Sequence, residues 1–194
     1  LPISFSYKYK KTFSLLGDNI TVKYEILNIG VEQLPCIWAM HCLIKCEEDM
    51  ELILPKGTKE VINVFKSNLL GEVGDIYTYP KTINNNGKFM KLNRVRTPDV
   101  NDMEKFYIKR DVTQGYCGAY YPSKDIKYEV HYKKEILPYL GVWINEGGYK
   151  GGYNCALEPT NGYYDSIGTA KKEKGLYVLK PKECLKFKLR IQLK

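Results

Sequence analysis

The chain has 194 residues, of which 44% are hydrophobic, 27% charged and 13% aromatic, with 16 Gly, 9 Pro and 17 Tyr. That apolar fraction suffices for a core at a length inside the ~100–200 residues of one domain, and it excludes a disordered, collagen-like or coiled-coil chain. Thirty Lys and Arg against 22 Asp and Glu give a formal charge of +8, but Lys186, Lys188, Arg190 and Lys194 alternate with Leu185, Phe187, Leu189 and Ile191. They read as the solvated face of a strand, not as the aromatic-interleaved basic groove of a nucleic-acid binder.

No run approaches the ~18 apolar residues of a membrane helix, and the first residues lack the basic-then-apolar order of a signal peptide. The expectation is a cytoplasmic protein with neither a membrane nor a nucleic-acid partner. Six cysteines are too few to staple a chain of this size, so they read as free thiols, mostly buried. His41, Cys42 and Cys46 lie close in sequence, but the paired ligands of a zinc ribbon are missing and no metal is expected.

A period of two governs the pattern. From Ile3, the residues Ile3, Phe5, Tyr7 and Tyr9 share one face against Ser4, Ser6, Lys8 and Lys10, which predicts a half-buried strand. Gly17-Asp18-Asn19 turns the chain, and Ile20, Val22, Tyr24 and Ile26 resume the alternation until Asn28-Ile29-Gly30 closes a long hairpin. Short strands are expected over 37–44, 51–54, 106–109, 116–121, 139–145, 153–157 and 176–179, and longer ones over 126–132 and 185–193. The stretch 55–97 alternates weakly and carries Gly71, Gly74, Pro80 and Asn84-Asn85-Asn86-Gly87. It reads as an elaborated loop region over one end of the sheets. Ten or so strands joined by Gly, Pro and Asn turns, with at most one or two turns of helix, predict an all-β antiparallel β-sandwich or barrel-like pair of sheets, as one domain over 1–194.

Two segments concentrate residues that solvated strands rarely need. Residues 34–44 hold Trp38 and His41 in an apolar run. In a regular strand these two would point to opposite faces, and a bulge would be needed to bring them together. By pattern alone a core Trp and a satisfied His account for them. The second segment runs from Leu140 through Trp143 and Asn145, and is followed by a short apolar strand ending in Glu158-Pro159. Proline stops the ladder there, so Glu158 either faces a cleft or simply terminates the strand. His131 alternates with Val130 and Tyr132 beside Lys127, Glu129 and Lys133, which places it on a solvated face.

The order of Trp38-Ala39-Met40-His41, Ile53-Leu54-Pro55, the P-x-L-G-x-W-x-N stretch from Pro138 to Asn145, and Leu157-Glu158-Pro159-Thr160-Asn161-Gly162 through Asp165 resembles galactose mutarotase-like proteins, in particular the bacterial aldose 1-epimerase-like branch. The resemblance implies a β-sandwich of the supersandwich type that binds a small-molecule sugar in a cleft. It implies His41 as the general acid at the ring oxygen and Glu158 as the general base at the anomeric hydroxyl, so that the ring opens and recloses on its other face. This chemistry moves only protons and needs no metal or organic cofactor. Trp38 and Trp143 would offer flat apolar faces to a pyranose, and Asn145 would read its hydroxyls.

The departures matter as well. Those enzymes carry an Asn-His-x-Tyr-Phe-Asn run where this chain has Met40-His41-Cys42-Leu43-Ile44. They also carry an earlier Arg and a second His, so the chain is expected to correspond to the C-terminal two-thirds of their domain and to lack its N-terminal portion. Their hydroxyl-gripping Asp has no clean counterpart, and Glu104 or Asp102 ahead of Phe106-Tyr107-Ile108 falls nearest its place. Because a fold does not fix a function, a non-catalytic carbohydrate-binding or sensing module is the alternative.

Overall fold

The computed structural model describes residues 6–194. Ile3 and Phe5 of the expected first strand lie outside the described residues. A long hairpin joins β1 (Tyr7–Leu16) to β2 (Asn19–Asn28), and Gly17 takes the left-handed φ of 54° that its tight turn requires. Next come β3 (Leu34–Cys36), β4 (Ile44–Lys45), β5 (Glu51–Ile53), β6 (Glu60–Asn63), β7 (Ile76–Thr78), β8 (Lys81–Ile83) and β9 (Phe89–Lys91). A single 3₁₀ turn at Pro98–Val100 leads into β10 (Asp102–Ile108), β11 (Tyr116–Tyr121), β12 (Ile126–His131), β13 (Tyr139–Glu146) and β14 (Tyr153–Thr160). The short helix α1 (Ile167–Lys172) starts where Ser166 Oγ accepts the Thr169 N–H at 3.0 Å. The chain ends with β15 (Tyr177–Leu179) and β16 (Cys184–Leu193).

Twelve of these strands build two antiparallel six-stranded sheets, ordered β1-β2-β16-β12-β11-β5 and β4-β14-β13-β10-β6-β7, while β3 pairs with β15 and β8 with β9, so the architecture is the expected β-sandwich with very little helix. The alternation read in the sequence becomes the two faces of each sheet. Val22, Tyr24 and Ile26 of β2 and Leu185, Phe187 and Leu189 of β16 are buried, while Lys23, Lys186 and Lys188 between them face solvent. From the second sheet, Phe106, Leu140, Val142 and Leu157 complete the core.

Three expectations need correction. Of the strand predicted over 37–44 only Ile44, the first residue of β4, is in a strand: β3 ends at Cys36, and the residues between run beside β14 with a single bridge, Ala39 to Thr160. The stretch 55–97 is not a loop over the end of the sheets. Its β6 and β7 are strands of the second sheet, and β8 and β9 form a separate hairpin. Strands of three or four residues contain too few periods to show in a pattern. Between β6 and β7, the buried Asn63 amide donates to the Leu70 and Glu72 carbonyls at 2.8 and 3.0 Å and folds the connection back on itself. Finally, β1 is not half-buried. All ten of its residues are exposed, and among the described residues it is an edge strand paired only with β2.

Phe106 is fully buried at the centre of the core, so Phe106→Ala is expected to lower stability by about 3–5 kcal/mol in urea unfolding.

Candidate active site

β14 and β10 approach the same point from opposite sides of β13. Across these strands Tyr107, Gly141 and Glu158 stand in one row, and Lys105, Trp143 and Ala156 stand in the next. Alternation places all six on the face opposite Phe106, Val142 and Leu157. Gly141 lets the row close: a Cβ there would come within 3.0 Å of the Tyr107 ring and 3.1 Å of Glu158 Oε2.

His41 reaches this row by a separate route. The Met40 N–H donates to the Pro159 carbonyl at 3.1 Å, the Trp38 N–H donates to Asn161 Oδ1 at 2.6 Å, and the Asn161 N–H donates back to the Trp38 carbonyl at 3.2 Å. Residues 38–41 are thereby held along the outer edge of β14 without joining its ladder. The nitrogen and carbonyl of one strand residue point the same way, so Pro159 turns its missing donor toward this segment and costs β13 no hydrogen bond. Freed from strand geometry, Trp38 and His41 both face one cavity of about 760 Å³, where the alternation rule had set them apart.

At the polar end of that cavity, His41 Nδ1 lies 2.8 Å from Glu158 Oε1, and Lys105 Nζ lies 3.3 Å from Glu158 Oε2 and 2.7 Å from Asp165 Oδ2. The Tyr107 hydroxyl donates to Asp165 Oδ1 at 2.9 Å. The five groups form one chain, His41–Glu158–Lys105–Asp165–Tyr107. Its members differ sharply in exposure: the Glu158 side chain is 1% exposed and that of His41 65%. The carboxylate therefore lies beneath the imidazole and the ammonium, and a ligand reaches it only by moving His41 aside. Burial alone would lower the Lys105 pKa, but the Glu158 and Asp165 carboxylates outweigh it and hold the ammonium above the ordinary lysine value. Burial, followed by the Asp165 charge, pushes the Tyr107 phenol far up, so it stays a donor.

The other sequence candidates divide. Trp38 lines the cavity, its ring wedged edge-on against Tyr24 and Phe187 at centroid distances of 4.7 and 4.6 Å. Trp143 shares the face of Lys105 but packs against Tyr149 at 6.2 Å, outside the cavity lining. Asn145 is a correction. Its amide, 1% exposed, donates to the Tyr149 carbonyl and accepts the Tyr149 N–H, both at 2.9 Å, so it staples the β13–β14 turn and stands outside the cavity lining, out of reach of a sugar there.

Glu104 is a second correction, because it is one position out of phase with Lys105 and points into the sandwich. There Ser67 Oγ donates to its Oε2 at 2.5 Å, while its Oε1 has no partner among the described residues. Burial, above all, raises its pKa to about 7. Asp102 is also engaged elsewhere, at 3.2 Å from Arg96, which in turn grips Glu146. His131 meets Glu129 at 3.3 Å on the first sheet, away from the cavity. All six cysteines are free, and Cys46, Cys117 and Cys155 are buried. Among the described residues no group of three or more His, Cys, Asp or Glu could hold a metal ion. The pattern missed Lys105, Asp165 and Tyr107 as site residues. The one available signal was that Lys105, which follows Glu104, shares a strand face with Met103 and Tyr107.

No family model and no curated protein matches the chain. Solved structures do. The chain is similar to the Slr1438 protein of Synechocystis (TM-score 0.71, 18% identity, 98% of this chain and 55% of that one). It is similar to a Klebsiella pneumoniae protein provisionally named an aldose 1-epimerase (0.69, 15%, 100% and 48%) and to a galactose mutarotase-like protein of Lactobacillus casei (0.67, 17%, 98% and 64%). The fold is thus that of the galactose mutarotase-like proteins. The chain spans about half to two-thirds of the length of these three.

Lys105 bridges the Glu158 and Asp165 carboxylates of this network, so Lys105→Met is expected to cost about 3 kcal/mol of stability in urea, much of it recovered when Glu158→Gln is added. Glu104 supplies a pH signature. Its folded pKa lies above the unfolded value, so the stability it contributes is complete below pH ~4.5 and is lost as pH rises through about 7. Between pH 4.5 and 8 the wild type should therefore lose about 3 kcal/mol relative to Glu104→Gln, read from paired denaturation curves.

Proposed function

We propose that the site is that of an aldose 1-epimerase-like isomerase, which interconverts the anomers of a hexose or related aldose by acid–base ring opening. The observation that carries this reading is the 2.8 Å contact of His41 and Glu158 at the polar end of a sugar-sized cavity. A carboxylate and an imidazole are the two groups that mutarotation requires, one to remove a proton and one to deliver a proton.

The sugar enters against Trp38, and its anomeric hydroxyl replaces His41 on Glu158 Oε1. The displaced imidazole, exposed and free to turn, swings to the ring oxygen. Glu158 takes the hydroxyl proton as His41 gives one to the ring oxygen, and the C1–O5 bond breaks to leave the open aldehyde. Rotation about C1–C2 presents the other face of the carbonyl. The ring hydroxyl then attacks, returning its proton to His41, and the new anomeric oxygen recovers the proton from Glu158. No electrons leave or enter, and neither a metal nor an organic cofactor takes part. Lys105 keeps a positive charge beside Glu158 throughout, and the Asp165 oxygens, facing the cavity, accept from sugar hydroxyls. The substrate is soluble and the reading places the protein in the cytoplasm, as one β-sandwich domain.

One observation favours the second reading, a carbohydrate-binding module without turnover: the Glu158 side chain is 1% exposed, beneath His41. Exchange NMR on the α and β anomers of glucose and galactose separates the two. The isomerase accelerates exchange, and His41→Ala and Glu158→Gln each slow it by about 10²–10⁴-fold. Sugar binding with exchange at the solvent rate in the wild type would establish the module instead.

A further inference from the structure

We propose that the outer face of the first sheet holds a second ligand site, where Arg190, Lys188, Lys133 and Thr21 bind a free polyphosphate, a short chain of two or three phosphoryl groups. Glu158 stands on the other sheet, and this site does not depend on the sugar-site reading.

Register brings the residues together. Thr21 of β2 pairs with Arg190 of β16, which pairs with His131 of β12, and Lys23 pairs with Lys188. Directly opposed residues share a face, and so do residues two apart on a strand. The intervening Val22, Leu189 and Val130 are buried in the core, so both rows look away from it. Same-face positions stand ~7 Å apart along a strand and neighbouring strands ~5 Å apart, gaps that long cationic side chains close over one ligand. A hollow of about 280 Å³ opens here, lined by Thr21, His131, Tyr132, Lys133, Lys188 and Arg190. It lies at the lower edge of the ~300–1,000 Å³ of small-molecule sites, which suits a short chain of phosphoryl groups.

Charge selects the ligand, because the cations of this face are not equivalent. Lys186 lies 3.3 Å from Glu25, while Lys194 and His131 meet Glu129 at 2.7 and 3.3 Å. Among the described residues Lys23, Lys133, Lys188 and Arg190 make no ion pair, and no carboxylate lines the hollow. Like charges crowded across adjacent strands destabilise a sheet, so an anion that settles among them is held by relief of that repulsion. Covering the face with polypeptide would strip water from these cations, whereas a dissolved anion supplies opposite charge and leaves their outer sides hydrated. The Arg190 guanidinium can give a phosphoryl group two parallel N–H bonds, and the ammonium groups and the Thr21 hydroxyl can donate to its other oxygens. A phosphomonoester brings only about −1.5 to −2 charges at pH 7, short of the unpaired cations gathered here. Two or three linked phosphoryl groups match them.

Isothermal titration calorimetry with tripolyphosphate, orthophosphate, citrate and ATP tests the site without requiring turnover. Tripolyphosphate should bind with a stoichiometry of one per chain and about tenfold more tightly than orthophosphate or citrate. Arg190→Gln and Lys188→Gln should each weaken it about tenfold, while Lys186→Gln, on the same strand face but outside the hollow, should change it less than about twofold. All three side chains are exposed, and urea unfolding no weaker than that of the wild type confirms that each variant is folded. Tripolyphosphate should also raise the unfolding midpoint of the wild type and leave that of Arg190→Gln in place. Absence of binding overturns the proposal. So does an equal loss in Lys186→Gln and Arg190→Gln, which would mean diffuse attraction to a positive surface. ATP binding within about threefold of tripolyphosphate supports a site for the phosphate chain alone, and ATP binding more than about tenfold tighter reassigns the site to a nucleotide.

Discussion

A carboxylate almost wholly out of water organises this molecule. Glu158 is buried at a cost that only paired charge and hydrogen bonds offset, and the required partners come from separate parts of the chain. Lys105 arrives on β10 across β13, and His41 arrives on a segment that has left the sheets. The register of the second sheet and the path of residues 37–43 are both tied to one side chain. Asp165 and Tyr107 extend the same balance outward, so that the inner end of the cavity is a closed electrostatic unit and only its outermost member, His41, is free to move.

The small residues around this unit matter as much as the charged ones. Gly141 leaves the space in which Tyr107 and Glu158 meet, and Pro159 frees the edge of β14 to carry Trp38 and His41 without a ladder. Asn161 then closes the arrangement with a backbone bond and a side-chain bond to the same residue. Geometry that would demand a bulge inside a regular strand is obtained more simply, by taking the segment out of the strand.

The sheets were legible in the sequence where each strand has one wet and one dry face. The residues of β2, β12 and β16 announce themselves because lysines mark one side and Val, Ile, Leu or Tyr the other. Legibility failed where a partner distant in sequence decides the outcome. Residues 37–43 form an apolar run that local pattern reads as a strand, but Pro159 and Asn161 hold them elsewhere. Glu158 stood out because proline follows it at a strand end. Lys105 did not, because a lysine in a strand ordinarily lies in water, and the carboxylates that draw this one inward come much later in the chain. Glu104 and Lys105 show how much one residue of phase decides: adjacent in sequence, they point to opposite faces, one into the core and one into the cleft. Asn145 was read as a free amide because nothing local shows that its two hydrogen-bonding ends close a turn.

The first strand leaves a last consequence. Among the described residues β1 pairs only with β2, over ten residues, and an unpaired strand edge is the template that drives edge-to-edge association of β-proteins. Lys8, Lys10 and Lys11 stand in the first half of that edge. Two copies brought together antiparallel about this point would set ammonium against ammonium, and like charges facing across an edge oppose pairing. The reach of that repulsion is the Debye length, ~30 Å in dilute buffer and ~8 Å at physiological ionic strength, so salt shortens it.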